Sequence, residues 1–176
     1  MRRLSEEKVI KEKEQRKAEK DIHMEEIIGY MAAAVYLAGS GIEDLKKQSV
    51  PAWWLLQGMA AGVMWRTVLL CSGKSDRKEF IVCFLPGACL LILKKLSEAV
   101  GEGDGIAWIG ICMFLGIKTG LIVLAITFVL AFFWSAMLMI LKKAGRKSRI
   151  PFLTFSLTGF MLWTGRCLLV QQEILM

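Results

Sequence analysis

The sequence predicts an all-α, polytopic membrane protein, with about six transmembrane helices behind a charged N-terminal helix. Three observations lead there. Hydrophobic residues make up 55% of the 176-residue chain and the mean hydropathy is +0.49, whereas soluble domains sit nearer about 45–50% apolar. Charge-free apolar runs cover residues 51–65, 123–140 and 150–165, and about 20 such residues cross a hydrocarbon core. The charges, finally, are gathered into short stretches between the runs.

Residues 1–26 hold eight Lys/Arg and eight Asp/Glu. Glu7–Lys11, Lys8–Glu12, Glu12–Arg16 and Lys17–Asp21 have i,i+4 spacing, so the segment reads as a solvated helix. Its acidic load rules out a signal peptide. The membrane part is expected to fill 27–176. Its first span, 27–42, amounts to about 24 Å of helix, with Gly29, Ala33 and Ala34 small enough for close helix approach. It ends at Glu43-Asp44-Leu45-Lys46-Lys47. Pro51 is placed to open the second span, 51–70, where a missing N–H costs nothing. That span carries the Gly58/Gly62 pair, a small-residue packing signal, and Trp53 and Trp54, which suit headgroup depth.

A polar connector leads to a third span from Phe80, where Pro86 predicts a kink and Lys94 and Lys95 end the apolar part. Gly101-Glu102-Gly103-Asp104-Gly105 reads as a glycine-rich loop before a fourth segment, 105–116, too short to cross alone. The fifth span is 120–141. Residues 142–149 carry five Lys/Arg and no acid, which places that loop in the cytoplasm. The last span is 150–170. Alternation then puts Asp44 and Asp104 on the cytoplasmic face and the N-terminal segment outside, against the pull of its eight basic residues.

The candidate chemistry follows by elimination. His23 is the only histidine, so nucleophilic Ser–His or Cys–His pairs lack their base. The five cysteines form no CxxC pair and read as small hydrophobes rather than zinc or redox ligands. No cofactor or metal is called for. The +7 balance is concentrated beside the spans, so lipid, not nucleic acid, is the expected partner. Of four aspartates, Asp21 lies in the solvated segment and Asp76 on the opposite face. Asp44 and Asp104 remain, each at the inner end of a span. Two nearby carboxylates share one proton, since like charge raises the pKa of one, and such a pair can activate water. Gly101, Gly103 and Gly105 would support the site by positive φ and close approach. The plainer reading is that both acids are helix-end residues, with Asp104 capping the fourth segment.

Three pieces of pattern occur in order: Asp44 followed seven residues later by Pro51; Gly101-Glu102-Gly103-Asp104; and a basic loop leading into Ile150-Pro151-Phe152. Together they resemble the type IV prepilin peptidases, Gly-x-Gly-Asp aspartic membrane proteases, over residues 27–170. The resemblance implies a six-helix membrane fold, catalytic aspartates at Asp44 and Asp104, and pilin-like precursor proteins as substrates. The localisation it implies is multi-pass in the plasma membrane, with the site facing the cytoplasm. The chain departs from the family pattern at Ala52, Ile106 and Thr154. It also lacks the cysteine-rich region of larger members, which implies cleavage without methyl transfer. A presenilin-type protease would need a Tyr-Asp pair, which is absent. A transporter would carry midplane polar residues. A non-catalytic assembly subunit of a pilus or secretion system is the remaining alternative.

Overall fold

The computed structural model describes residues 2–47, 49–96, 101–141 and 152–175. They form helices α1 (Arg2–Lys47), α2 (Ala52–Cys71), α3 (Arg77–Val82), α4 (Leu85–Leu96), α5 (Glu102–Leu115), α6 (Ile117–Ile140) and α7 (Phe152–Leu175), with no strand among the described residues. The basic stretch 142–149 and the Ile150-Pro151 pair lie outside them.

α5 is the centre. Ala107 to Met113 are buried one after another, the mark of a helix enclosed on every side. α1, α2, α4 and α6 pack around it. This explains a segment of only 14 residues, about 21 Å long: sheltered by protein, it has no need to match lipid on its own. Trp108, Ile111, Cys112 and Met113 are fully buried and join Leu37 and Leu55 in one core.

Glycines let the backbones meet. A Cβ on Gly62 would fall 2.8 Å from the Gly110 carbonyl oxygen of α5, and one on Gly58 would overlap the Tyr36 ring of α1. The Gly58/Gly62 pair thus serves two different neighbours. Tyr36 completes the junction by donating its hydroxyl to the Leu55 carbonyl at 3.3 Å. On the next face Trp54 donates Nε1–H to the buried Ser40 hydroxyl at 3.1 Å.

Two helices, Ala52–Cys71 and Ile117–Ile140, are long and apolar enough to cross a membrane. Only 11% of the apolar window of α6 is buried, and Phe132, Phe133 and Ile140 are largely exposed. A core helix of a soluble protein would be mostly covered, so this face suits lipid. Six spans were expected, and two helices among the described residues have that length and apolar character.

α1 runs without a break through residues 26 and 27, so the charged stretch and the first apolar run are one helix. Two local expectations need correction. The third apolar run divides at Cys83–Phe84 into α3 and α4. Pro86 sits in the first turn of α4, where its missing N–H is tolerated, and does not kink a longer helix. Residues 102–105, moreover, are helical, and Gly101 has φ −77°. Positive φ occurs instead at Gly73 and Gly116.

Gly116 joins α5 to α6 with φ 78° and ψ 162°, a region essentially closed to other residues. Its Cβ position lies 3.3 Å from Glu79 Oε1. Gly116→Ala is therefore expected to cost about 1–3 kcal/mol, read as a lower melting temperature of the detergent-solubilised protein.

Candidate active site

Asp44 lies in the last turn of α1, beyond the apolar 27–42 run, and is buried. Its Oδ2 accepts the Leu153 N–H of α7 at 3.0 Å. Beside it, the Thr154 hydroxyl donates to the Gly41 carbonyl at 3.0 Å, so the start of α7 is fastened to the end of α1. Burial raises the Asp44 pKa above the ordinary carboxylate range, and the N–H groups of Leu153 and Thr154 oppose the rise.

Asp104 occupies the first turn of α5, before the enclosed 105–116 segment. Its Oδ2 accepts the Gly101 N–H at 2.9 Å, which is half of a capping box. The capping role is therefore real, but it engages only one oxygen. Burial pushes the Asp104 pKa up to about 6, against the Gly101 bond and aided by the Asp44 charge. Two acids sixty residues apart are thus close enough for one to feel the other's charge.

The glycines place Asp104 by close approach. A Cβ on Gly105 would lie 2.6 Å from Leu91 Cγ and 3.0 Å from the Gly87 carbonyl oxygen, and one on Gly103 would lie 2.8 Å from Leu55 Cδ1. α4 and α2 therefore clamp α5 on both sides of the aspartate. Glu102, exposed, pairs with Lys94 of α4, and that cation lowers its pKa.

Asp76 precedes α3 at the other end of α2. At that end a polar cavity of about 200 Å³ is lined by Tyr30, Arg66, Glu79 and Thr119, among others. The ion pairs Arg66–Glu79 and Lys74–Glu25 tie the elements around it together. Neither candidate aspartate lines this cavity. No cluster of three or more His, Cys, Asp or Glu suited to a metal occurs among the described residues.

The family model described as the type IV leader peptidase family matches residues 31–136, well over half of the chain and inclusive of both aspartates. The chain belongs to this family. No curated protein and no solved structure matches it. As a type IV leader peptidase family member it is of a leader-peptidase-like protease kind, and the family, together with the two apolar helices, points to the membrane.

Sequence reasoning missed α7's part. Leu153 contributes only a backbone N–H, which no side-chain pattern displays. Thr154 stood out as a departure from the family pattern, and here its hydroxyl bonds the carbonyl of Gly41, three residues before Asp44 on one face of α1.

Proposed function

We propose that the chain is a membrane-embedded aspartic endopeptidase of six spans. It removes the leader peptide from prepilin-like precursors at the cytoplasmic membrane face, with Asp44 and Asp104 activating one water. The observation that carries this reading is the pairing itself: within a leader peptidase family member, a buried and a half-buried carboxylate from different helices lie within electrostatic reach, and burial pushes the pKa of Asp104 up to about 6. Such a pair holds one proton below about pH 6, which is the state that can both take a proton from water and give one to a carbonyl. The site lies at helix ends, where a precursor's apolar helix can remain in lipid while its basic leader crosses the acids.

The test is co-expression with a prepilin-like precursor and detection of leader loss by the mass of the product. A precursor left intact by abundant, membrane-inserted protein overturns the reading.

The pH dependence supplies a second check. Asp104 has its folded pKa raised above the ordinary value of 3.8. Its folded form therefore binds the proton more tightly than the unfolded chain does. The stability it contributes is full below about pH 4 and is lost as pH rises through about 6. The active, singly protonated pair is lost over the same upper range. The alkaline limb of kcat/KM is expected to fall through about pH 6, and the apparent melting temperature to decline between pH 4 and 7.

A further inference from the structure

Asp44 and Asp104 do not have equivalent surroundings. Asp44 is met from another helix: Leu153 N–H, in the first turn of α7, points at Oδ2, and Thr154 N–H bears on the same carboxylate. First-turn N–H groups have no acceptor within their own helix and mark the positive end of its dipole. They favour a charged carboxylate over a neutral one. Asp104 has one such partner, Gly101 N–H of its own helix, and sits at the start of the most enclosed helix in the molecule.

Among the described residues, Lys46 of α1 and Lys95 of α4 are exposed and the remaining charged neighbours are paired. Glu43 of α1 pairs with Lys47 at 3.0 Å, and Glu102 of α5 with Lys94 of α4. α2 presents Trp54 and Leu55 here, and the first turns of α7 carry no charge. Burial is the largest influence on both acids, and the N–H groups of α7 are what Asp44 receives from a second helix and Asp104 does not.

Building on the peptidase reading, we propose that the N-terminus of α7 is a positioning element that holds Asp44 as the carboxylate. Asp44 is then the base that takes the proton of water, and Asp104 the acid that serves the scissile carbonyl. The protons balance. As the water oxygen bonds to the carbonyl carbon, one water proton passes to Asp44, and the Asp104 proton passes to the carbonyl oxygen, leaving a neutral gem-diol. As the C–N bond breaks, Asp44 returns its proton to the leaving amine and a gem-diol hydroxyl returns one to Asp104. Both acids end as they began.

The test compares Leu153→Pro with Leu153→Val. Proline removes the N–H and is accepted at the first position of a helix, so α7 then starts one residue later. Valine keeps the N–H and changes only the side chain. In Leu153→Pro the acid limb of kcat/KM is expected to move up by about one pH unit while the alkaline limb stays; in Leu153→Val neither limb moves. An unmoved acid limb in the proline variant, or an equal shift in both, overturns the proposal.

Infrared difference spectra of the full-length protein at pH 5 test it without substrate and without the proline variant. The protonated-carboxyl band is expected to vanish in Asp104→Asn and to persist in Asp44→Asn. The reverse pattern overturns the assignment. Because this arm needs no cleavage, it separates an error in the proton assignment from an error in the peptidase reading.

Discussion

Asp44→Asn and Asp104→Asn, made separately, are each expected to lower precursor processing by about 10³-fold, the scale of a lost general acid or base. Asparagine is close to isosteric with aspartate. Its amide oxygen can still accept Leu153 N–H at position 44 or Gly101 N–H at position 104. Both variants should therefore insert, accumulate and melt near the parent temperature. At position 104 the change also removes a half-buried group that resists ionisation, so a small gain in stability at pH 7 is the expected direction. Asp76→Asn is the control: it lies at the far end of α2 and its side chain makes no capping bond, so processing should be unchanged. The measurement is the ratio of cleaved to intact precursor at matched protein level. If both asparagine variants cleave normally, the site lies elsewhere, and a passive assembly subunit becomes the better account.

How much of this was legible in the sequence depends on whether the cause is local. The apolar runs 51–70, 120–141 and 150–170 correspond within a few residues to α2, the last 21 residues of α6 and most of α7, because predominantly apolar stretches of that length have few other ways to satisfy their backbone in lipid. The junction of the charged and apolar parts of α1 was invisible, since both follow the same helical period and Gly29 is tolerated where it meets α5. A Cβ there would lie 2.7 Å from the Phe114 carbonyl oxygen. The break at Cys83–Phe84 is equally hidden, for proline signals a helix start as readily as a kink. For the candidate site, the order of the acids and glycines was readable. The hydrogen bond from Leu153 to Asp44 was not, because it joins groups 109 residues apart through a backbone N–H that every residue but proline possesses.

Gly105→Val is expected to lower processing by about 10²-fold, by a different route. Gly105 and Gly87 face each other where α5 crosses α4: a Cβ on Gly87 would lie 2.5 Å from the Gly105 carbonyl oxygen, and one on Gly105 lies 3.0 Å from the Gly87 carbonyl oxygen and 2.6 Å from Leu91 Cγ. A branched side chain at 105 has to push α4 away or lift the first turn of α5. Overpacking of this kind costs about 1–3 kcal/mol. The chemical penalty is larger, because Asp104 is the adjacent residue and rides on the same turn. A displacement of about 1 Å in a reacting group can cost about 10²-fold in rate. Gly105→Ala should show the same two effects at smaller size, since the Leu91 side chain can yield while the Gly87 backbone cannot. Gly165→Ala serves as the reference. Nothing lies within 4 Å of its Cβ position, and alanine in a helix interior gains about 1 kcal/mol over glycine, so that variant should melt slightly higher and cleave normally. Thermal melting and processing, measured on all three, separate the contributions. A Gly105→Val protein that melts and cleaves like the parent would mean that the contact between α4 and α5 does not set the position of Asp104.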